Sequence, residues 1–190
     1  MIIRPARPED VPTLDRVIAA SARQLSAGYY DAAQTEAAIA HVFGIDSELI
    51  ADGTYLLVDI DGQIAGCGGW SRRATLFGSD RFSGRQSGYV DPATAPAKIR
   101  AFFIAPEFAR RGIGTALLTA CEEAARAAGF SQAELMATLP GVPFYATHGY
   151  LPGSPITQVY DGVEVRFVPM HRSLRALGEQ EAGTNSIFQA

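Results

Sequence analysis

The fold is indicated first by one stretch of sequence, Phe102-Phe103-Ile104-Ala105-Pro106-Glu107-Phe108-Ala109-Arg110-Arg111-Gly112-Ile113-Gly114-Thr115. Residues 98–104 alternate between polar and apolar side chains and then become wholly apolar, and Pro106 ends the run, which predicts a strand. From Ile113 onward, apolar side chains recur at helical spacing until Gly129, which predicts a helix over residues 113–128. The stretch therefore joins a strand to a helix through a short loop that contains glycine.

The loop from Arg110 to Thr115 has the residue types of an anion-binding site. A helix N-terminus leaves its first N–H groups unpaired and carries about half a positive charge. Gly112 and Gly114 allow a ligand to approach the backbone, and Thr115 adds a hydroxyl donor. Arg110 and Arg111 place positive charge at the rim. The loop therefore predicts a pyrophosphate site, or, as the alternative, an ordinary strand-to-helix turn with solvated arginines.

Two better-known phosphate-binding loops do not fit this stretch. A Walker A loop needs Gly-Lys followed by Ser or Thr, and this turn contains no lysine. A dinucleotide fingerprint needs a third Gly or Ala three positions after Gly114, where Leu117 stands. A protein that binds ATP or NAD is therefore the less favoured hypothesis.

The rest of the chain alternates strands with helices. Two Asp-Gly pairs, at 61–62 and 161–162, supply the positive φ of two-residue turns and predict β-hairpins around them. The predicted order is a strand (2–4), two helices (from 8, and 31–43), a hairpin (55–60 with 63–70), the central strand and helix, a strand (133–138), a short helix (143–148) and a second hairpin (157–160 with 163–170). This order indicates an α/β (α+β) protein with a single mixed sheet flanked by helices. We predict one domain over residues 1–172 and a loosely held tail over 173–190.

Length, charge and composition exclude several classes of function. At 190 residues and 47% hydrophobic content, the chain suits one compact domain. Its 16 basic and 20 acidic residues are well mixed and give a net charge of -4, which argues against nucleic-acid binding. No metal site is predicted, because none of the usual ligand spacings relates His41, His148, His171, Cys67 and Cys121. Without an apolar signal core or a bilayer-spanning stretch, we expect a cytoplasmic protein that does not contact membranes.

Two stretches carry a family resemblance. The first is Phe102–Gly114, in which an apolar strand and a Pro lead into the glycine-containing loop. The second is Val142–Tyr145 followed by His148–Tyr150, a short helix that ends in Gly and an aromatic residue. In this order they resemble the GNAT superfamily of acyl-CoA-dependent N-acyltransferases, whose loop reads Arg/Gln-x-x-Gly-x-Gly/Ala. Ala109 replaces the Arg or Gln of that loop, and Pro140 stands where an Asn is common.

The resemblance implies a GNAT fold, a mostly antiparallel sheet with a splayed central strand pair. It also implies that acetyl-CoA is the cosubstrate and that an amine of a small molecule or peptide accepts the acetyl group. In the family, the splayed strand pairs with the pantetheine arm and the loop holds the pyrophosphate. The implied cofactor-binding residues are Phe102, Phe103, Ile104, Arg110, Arg111, Gly112, Ile113, Gly114 and Thr115. A catalytically weak acyl-CoA-binding module is the alternative, and a homodimer is left open.

The resemblance implies two catalytic candidates. Tyr145 occupies the family's position for a hydrogen-bond donor to the leaving thiolate, with simple aromatic packing as the alternative. A phenol pKa of about 10 lies above a thiol pKa of about 8.5, which favours hydrogen-bond donation over full proton transfer. Glu134 aligns with a glutamate that serves as base in some members, with a solvated strand carboxylate as the alternative.

The expected acceptor site lies near a long loop. Between Arg72 and Pro96, Gly, Ser, Arg, Asp and Pro without clear periodicity predict a functional or mobile loop that borders the substrate site. The family's acceptor pocket is lined by regions that correspond here to Trp70, Arg72, Arg73, Tyr89 and Tyr29-Tyr30. Such a lining would suit a small acceptor with a carboxylate, and the alternative is that these residues are merely exposed.

Overall fold

A computed structural model of the chain describes residues 1–175. Its strands, in chain order, are β1 (Ile2–Pro5), β2 (Tyr55–Ile60), β3 (Gln63–Ser71), β4 (Ala97–Ile104), β5 (Gln132–Thr138), β6 (Leu151–Pro152), β7 (Ile156–Tyr160) and β8 (Val163–Ser173). Its helices are α1 (Val11–Leu25), α2 (Ala32–His41), α3 (Ser47–Ala51), α4 (Ile113–Ala127) and α5 (Val142–Thr147). Most of the predicted tail lies outside the described residues. At its start Leu174 is buried, and its N–H donates to the carbonyl of Ser131 at 2.8 Å.

The eight strands described form one open sheet in the order β1-β2-β3-β4-β5-β8-β6, with β7 paired to β8. Every pair is antiparallel except β4–β5, which is parallel because α4 connects the two strands. This mixed, mostly antiparallel sheet flanked by helices confirms the predicted fold class. Over residues 1–175, no helix is long and apolar enough to cross a membrane.

Two hydrophobic cores lie on opposite faces of the sheet. Neighbouring residues of β5 separate them, because successive side chains of a strand point to opposite faces. Leu135 packs in one core with Leu118 and Cys121 of α4, whereas Met136 packs against the core that contains residues of α1 and α2. Burial raises the pKa of Cys121, and it raises that of Cys67 to about 12. Both thiols therefore behave as small core side chains rather than as nucleophiles.

The central strands β4 and β5 separate after a short paired stretch, which confirms the predicted splay. Their pairing is limited to the register Ala97↔Ala133, Lys98↔Glu134 and Ile99↔Leu135. Beyond it, β4 continues along β3 and β5 continues along β8. An extra residue interrupts β4 between Arg100 and Phe103, and Ala101 within it has a φ of 56°. Because such a bulge bends its strand, it directs β4 away from β5 and leaves a gap in the middle of the sheet.

The region beside the gap contains a helix that the sequence analysis did not predict. Helix α3 is five residues long, and the carboxylate of Asp46 caps it by accepting from the N–H of Leu49 at 3.3 Å. Residues 72–96 contain no helix or strand, as predicted, but ion pairs hold them against α3. Arg73 binds Asp52 through two contacts of 2.7 Å, and Arg85 binds Asp46 at 2.9 Å. The long loop is therefore anchored at both ends of α3.

Candidate active site

A cavity of about 840 Å³ passes through the gap between β4 and β5. The first turn of α4 and most of α5 line it on one face of the sheet. The C-terminal part of α1, the residues after α2 and loop residues Leu76–Ser79 line it on the other face. The cavity brings together most of the predicted site residues, namely Phe102, Phe103, Ile104, Arg110, Gly112, Ile113, Gly114, Thr115 and Tyr145. Part of the long loop thus borders the cavity.

The N-terminus of α4 has the backbone of an anion cradle. Arg110 (φ 64°) and Gly112 (φ 79°) both adopt left-handed conformations, which turn the chain sharply into the helix. The first hydrogen bond of the helix runs from the N–H of Ala116 to the carbonyl of Gly112, at 3.0 Å. The N–H groups of residues 113–115 precede this bond and point out of the helix end beside the cavity. They are therefore placed to donate to one phosphate group.

Gly114 has a packing role besides its place in the cradle. A Cβ at this position would lie 3.2 Å from two ring carbons of Phe144, closer than side chains normally approach. The missing side chain lets α5 pack directly against the first turn of α4. Gly114 thus holds the short helix that carries Tyr145 next to the cradle.

The hydroxyl of Thr115, predicted as a donor to a ligand, contacts another side chain of the protein. Its Oγ1 lies 3.1 Å from Nε2 of His148, whose Nδ1 lies 2.8 Å from the carbonyl oxygen of Phe144. Because a carbonyl only accepts, Nδ1 donates to Phe144, and Nε2 is the ring nitrogen that contacts the Thr115 hydroxyl. The Thr115 hydroxyl is therefore engaged within the protein, and the backbone N–H is this residue's donor to a ligand.

Of the two arginines before the helix, Arg110 lines the cavity and Arg111 does not. Arg110 lines the cavity with an exposed side chain. The guanidinium of Arg111 lies over the ring of Phe108 at 5.4 Å, and Arg111 does not line the cavity. This cation–π contact explains why the predicted ligand-binding role of Arg111 lacks structural support.

The edge of β4 is less open than predicted. Phe103 pairs with Cys67 of β3, so its backbone groups face away from the gap. Because alternate residues of a strand direct N–H and C=O to opposite edges, Ile104 faces the gap, where its N–H donates to Oγ of Ser21 at 3.2 Å. The ring of Phe102 lies across Gly68, where a Cβ would come within 2.6 Å of it. Phe102 thus contributes its side chain to the cavity wall.

Tyr145 lies at the inner wall of the cavity. Its ring meets those of Phe102, Phe144 and Tyr150 edge-on at centroid distances of 6.3, 5.0 and 5.7 Å. Burial raises the pKa of its phenol, with a smaller contribution from Cys121. The hydroxyl therefore stays protonated at neutral pH, where it can donate a hydrogen bond.

Glu134 lies apart from the cavity. It sits within the paired part of β4 and β5, opposite Lys98, and its carboxylate forms an ion pair with the Lys98 ammonium. It is not among the residues that line the cavity. The register therefore explains why the predicted role of Glu134 as general base lacks support: the residue precedes the point where the strands separate.

Of the residues predicted to line an acceptor pocket, only Tyr29 lies in the lining of this cavity. Tyr29 lines the cavity, whereas the hydroxyl of Tyr30 links the carbonyl of Arg166 to the N–H of Leu139. Trp70 is buried against Phe130 in the core.

Arg73 and Tyr89 form a separate contact with Asp52, and Arg72 also packs on the Tyr89 ring. Arg72, Arg73 and Tyr89 are all absent from the lining of the cavity. Because the partners lie far apart in the sequence, local composition did not reveal these pairings.

Arg100 is a cavity residue that the sequence analysis missed. Its guanidinium donates to the carbonyl of Gly78 at 2.7 Å and lies against the carboxylate of Asp46. The side chain is only 1% exposed, and burial lowers its pKa while Asp46 opposes that change. Its Nε and Nη1 have no hydrogen-bond partner among the described residues. Alternation along β4 was the signal available, because it places Arg100 on the same face as Lys98.

The fold and the site together define a class of protein. A central strand pair that separates beside a helix N-terminus without a side-chain cap is the arrangement that the GNAT resemblance implied. The sequence profile of the acetyltransferase (GNAT) family matches residues 19–150, more than half of the chain. The chain therefore belongs to the GNAT acetyltransferase family, which confirms the resemblance drawn from its motifs.

Solved structures share this fold. A GCN5-related N-acetyltransferase from Rhodopseudomonas palustris superposes with a TM-score of 0.67 at 23% identity, over 90% of this chain and 94% of the other. The PaiA N-acetyltransferase of Thermoplasma acidophilum, in complex with coenzyme A, gives 0.60 at 18% identity, over 90% and 98%. The ribosomal-protein-alanine N-acetyltransferase of Brucella melitensis gives 0.59 at 16% identity, over 91% and 99%. No curated protein matches the sequence significantly.

Proposed function

We propose that the protein is an N-acetyltransferase that moves the acetyl group of acetyl-CoA directly to an amine of a small molecule or peptide. The observation that carries this proposal is that one cavity joins the α4 cradle, the β4 edge and Tyr145. The coenzyme A complex of the Thermoplasma acidophilum relative supports the choice of cofactor. The ribosomal-protein-alanine N-acetyltransferase of Brucella melitensis supports an amine acceptor.

Each part of the cavity has a role in binding. The pyrophosphate would accept from the N–H groups of residues 113–115, with Arg110 supplying positive charge at the rim. The pantetheine arm would lie in the gap between β4 and β5, along the edge where Ile104 faces outward. Ala109 replaces a side chain that the family commonly uses here. Because the main donors are backbone groups, we expect this replacement to weaken CoA binding rather than abolish it.

The reaction requires a neutral attacking amine and a stabilised leaving thiolate. The lone pair of a neutral amine attacks the thioester carbonyl, the C–S bond breaks, and the amine proton leaves for solvent. Tyr145 donates a hydrogen bond to the sulfur on which negative charge develops. Its raised pKa keeps that donor protonated. The apolar rings of Phe102 and Phe144 beside Tyr145 provide a surrounding of low polarity, which would strengthen the bond.

Acetyl-CoA is expected to stabilise the protein against unfolding. At a concentration a hundredfold above the dissociation constant, the expected gain is about 2.7 kcal/mol, and ATP at the same concentration should give none. Thermal denaturation with each ligand measures this, and desulfo-CoA separates binding from reaction. No stabilisation by any acyl-CoA, or an equal shift with ATP, would contradict the proposal.

Replacing Tyr145 with Phe is expected to slow thiol release about 10- to 100-fold while the acetyl-CoA affinity stays nearly constant. The variant keeps the ring packing and removes one hydrogen bond to a charged atom, which contributes about 1.5–3 kcal/mol. Single-turnover thiol release measures the rate. Tyr160→Phe is the matched control, because the Tyr160 hydroxyl is buried without a partner among residues 1–175 and lies outside the cavity. Equal rates in both variants would remove Tyr145 from the mechanism.

A further inference from the structure

The part of the cavity across the sheet from the cradle is an aromatic chamber. We call it the acceptor chamber and define it by Leu25, Tyr29, Phe43, Phe77, Phe103 and Phe167. Five separate segments meet there: the end of α1, the residues that follow α2, the long loop and the strands β4 and β8. The chamber is continuous with the gap between β4 and β5, through which the thioester would reach it.

The four phenylalanine rings pack against one another in perpendicular and tilted contacts around the chamber. Phe43 meets Phe103 at a centroid distance of 5.5 Å and Phe167 at 6.5 Å, both nearly perpendicular. Phe77 meets Phe167 at 5.8 Å. Phe43 and Phe167 are buried, whereas Phe77 and Phe103 keep part of their surface exposed to the cavity. Ring faces and edges that remain exposed in a cavity favour an aromatic or large apolar guest.

The entrance to the chamber is also apolar. Leu25 and Tyr29, at the end of α1 and just beyond it, are 37% and 50% exposed, and both line the cavity. A ligand that enters beside them would bury its own apolar surface together with theirs. The chamber and its rim therefore favour an elongated apolar group over a small polar one.

No carboxylate stands among the described residues that line the cavity, so nothing there stabilises a cationic acceptor. Arg100 borders the chamber, but the buried Asp46 carboxylate pairs with its guanidinium. A lysine amine with a pKa of about 10.4 is neutral in roughly one molecule in 800 at pH 7.5, against about one in three for an α-amine with a pKa near 7.8. An α-amine thus enters uncharged far more often and needs no strong base.

We propose that the acceptor is the α-amine of an amino-acid derivative or peptide whose first residue has an aromatic or large apolar side chain. That side chain lies in the acceptor chamber, and the amine points through the gap toward the thioester. This inference rests on the proposed acetyltransferase function and specifies its substrate class. It replaces the expectation of a carboxylate-bearing acceptor held by Arg72 and Arg73, which the structure places outside the cavity.

A matched series of amides tests the substrate class. We would measure kcat/KM by thiol release with the amides of phenylalanine, leucine and glycine, and with Nα-acetyl-lysine amide, which offers only the ε-amine. The expected kcat/KM is about 10- to 100-fold higher for the phenylalanine and leucine amides than for the glycine amide. The lysine derivative is expected to be the poorest acceptor.

Two variants of the long loop locate the binding site. Phe77→Ala is expected to lower kcat/KM for the phenylalanine amide about 10-fold or more relative to kcat/KM for the glycine amide. Phe82→Ala is the control, because Phe82 packs on Phe77 at 4.8 Å but does not line the cavity. If Phe82→Ala causes the same selective loss, loosening of the loop explains the effect and the chamber assignment is overturned.

The remaining outcomes separate the two proposals. Equal kcat/KM for the phenylalanine and glycine amides, or a preference for the ε-amine, overturns the substrate class and leaves the acetyltransferase function standing. Absence of stabilisation by any acyl-CoA overturns the function and the substrate class together, whereas absence of thiol release with all four amines, in a protein that acetyl-CoA stabilises, overturns the substrate class alone. Selective acetylation of the apolar α-amines, lost only in Phe77→Ala, supports both.

Discussion

Replacing Asp46 with alanine is expected to lower the free energy of unfolding by about 3–5 kcal/mol. The Asp46 side chain is fully buried and faces the guanidinium of Arg100, which is itself almost completely buried. Its removal leaves that cation without a countercharge, takes one partner from Arg85 and removes the cap of α3. Denaturant unfolding followed by circular dichroism measures the loss.

A second ion pair provides the matched control for Asp46. Glu36 binds Arg23 through two short contacts, but its side chain is 55% exposed. Glu36→Ala is expected to leave the free energy of unfolding almost unchanged, because exposed ion pairs contribute little. Asp46→Asn keeps the cap and the shape while removing the charge, so it separates these two contributions. An Asp46→Ala protein as stable as Glu36→Ala would show that the buried network is not what holds the long loop.

Replacing Gly114 with leucine is expected to weaken acetyl-CoA binding about 100-fold, or about 2.7 kcal/mol. The new side chain would meet Phe144 and displace the first turn of α4 from the position at which its N–H groups reach a phosphate. Hydrogen bonds to charged groups contribute about 1.5–3 kcal/mol each, so the loss of one or two explains this magnitude. The ligand-dependent shift in the unfolding midpoint measures the affinity.

The control for Gly114 is another glycine in an open environment. A Cβ at Gly88 would meet nothing within 4 Å, and its backbone does not need a positive φ. Gly88→Leu is therefore expected to keep the full stabilisation by acetyl-CoA. Gly114→Ala should show a smaller loss than Gly114→Leu, because only one methyl group presses on Phe144. Full stabilisation of Gly114→Leu by acetyl-CoA would exclude the α4 N-terminus as the phosphate cradle.

Local patterns were sufficient to predict the cradle and the order of the main elements. The turn from Arg110 to Thr115 needs glycine at fixed positions, and the apolar periodicity of α4 is visible within one turn of it. The hairpins followed from their Asp-Gly turns, at which Asp61 and Asp161 adopt positive φ as the turn requires. These features depend on residues close in sequence.

Features that depend on distant partners were not predictable in the same way. Glu134 and Lys98 are neighbours only because β4 and β5 pair in parallel. The sequence of either strand alone does not reveal the register of that pair. The buried contact of Asp46 with Arg100 joins a helix cap to a strand, and the capping residue was the local sign of α3. Arg73 likewise required knowledge of Asp52. Tertiary pairing therefore decided which charged residues reach the cavity.

The early separation of β4 and β5 has a consequence for how ligands arrive. Because the two strands part after Ile99 and Leu135, the space between them exists before any ligand enters, and entry breaks no interstrand hydrogen bond there. Such preorganisation reduces the conformational cost of association, so more of the contact energy contributes to affinity. The bulge at Ala101 therefore affects ligand affinity as well as the shape of β4. Its backbone strain arises once, during folding, and no ligand then has to separate the two strands in order to bind.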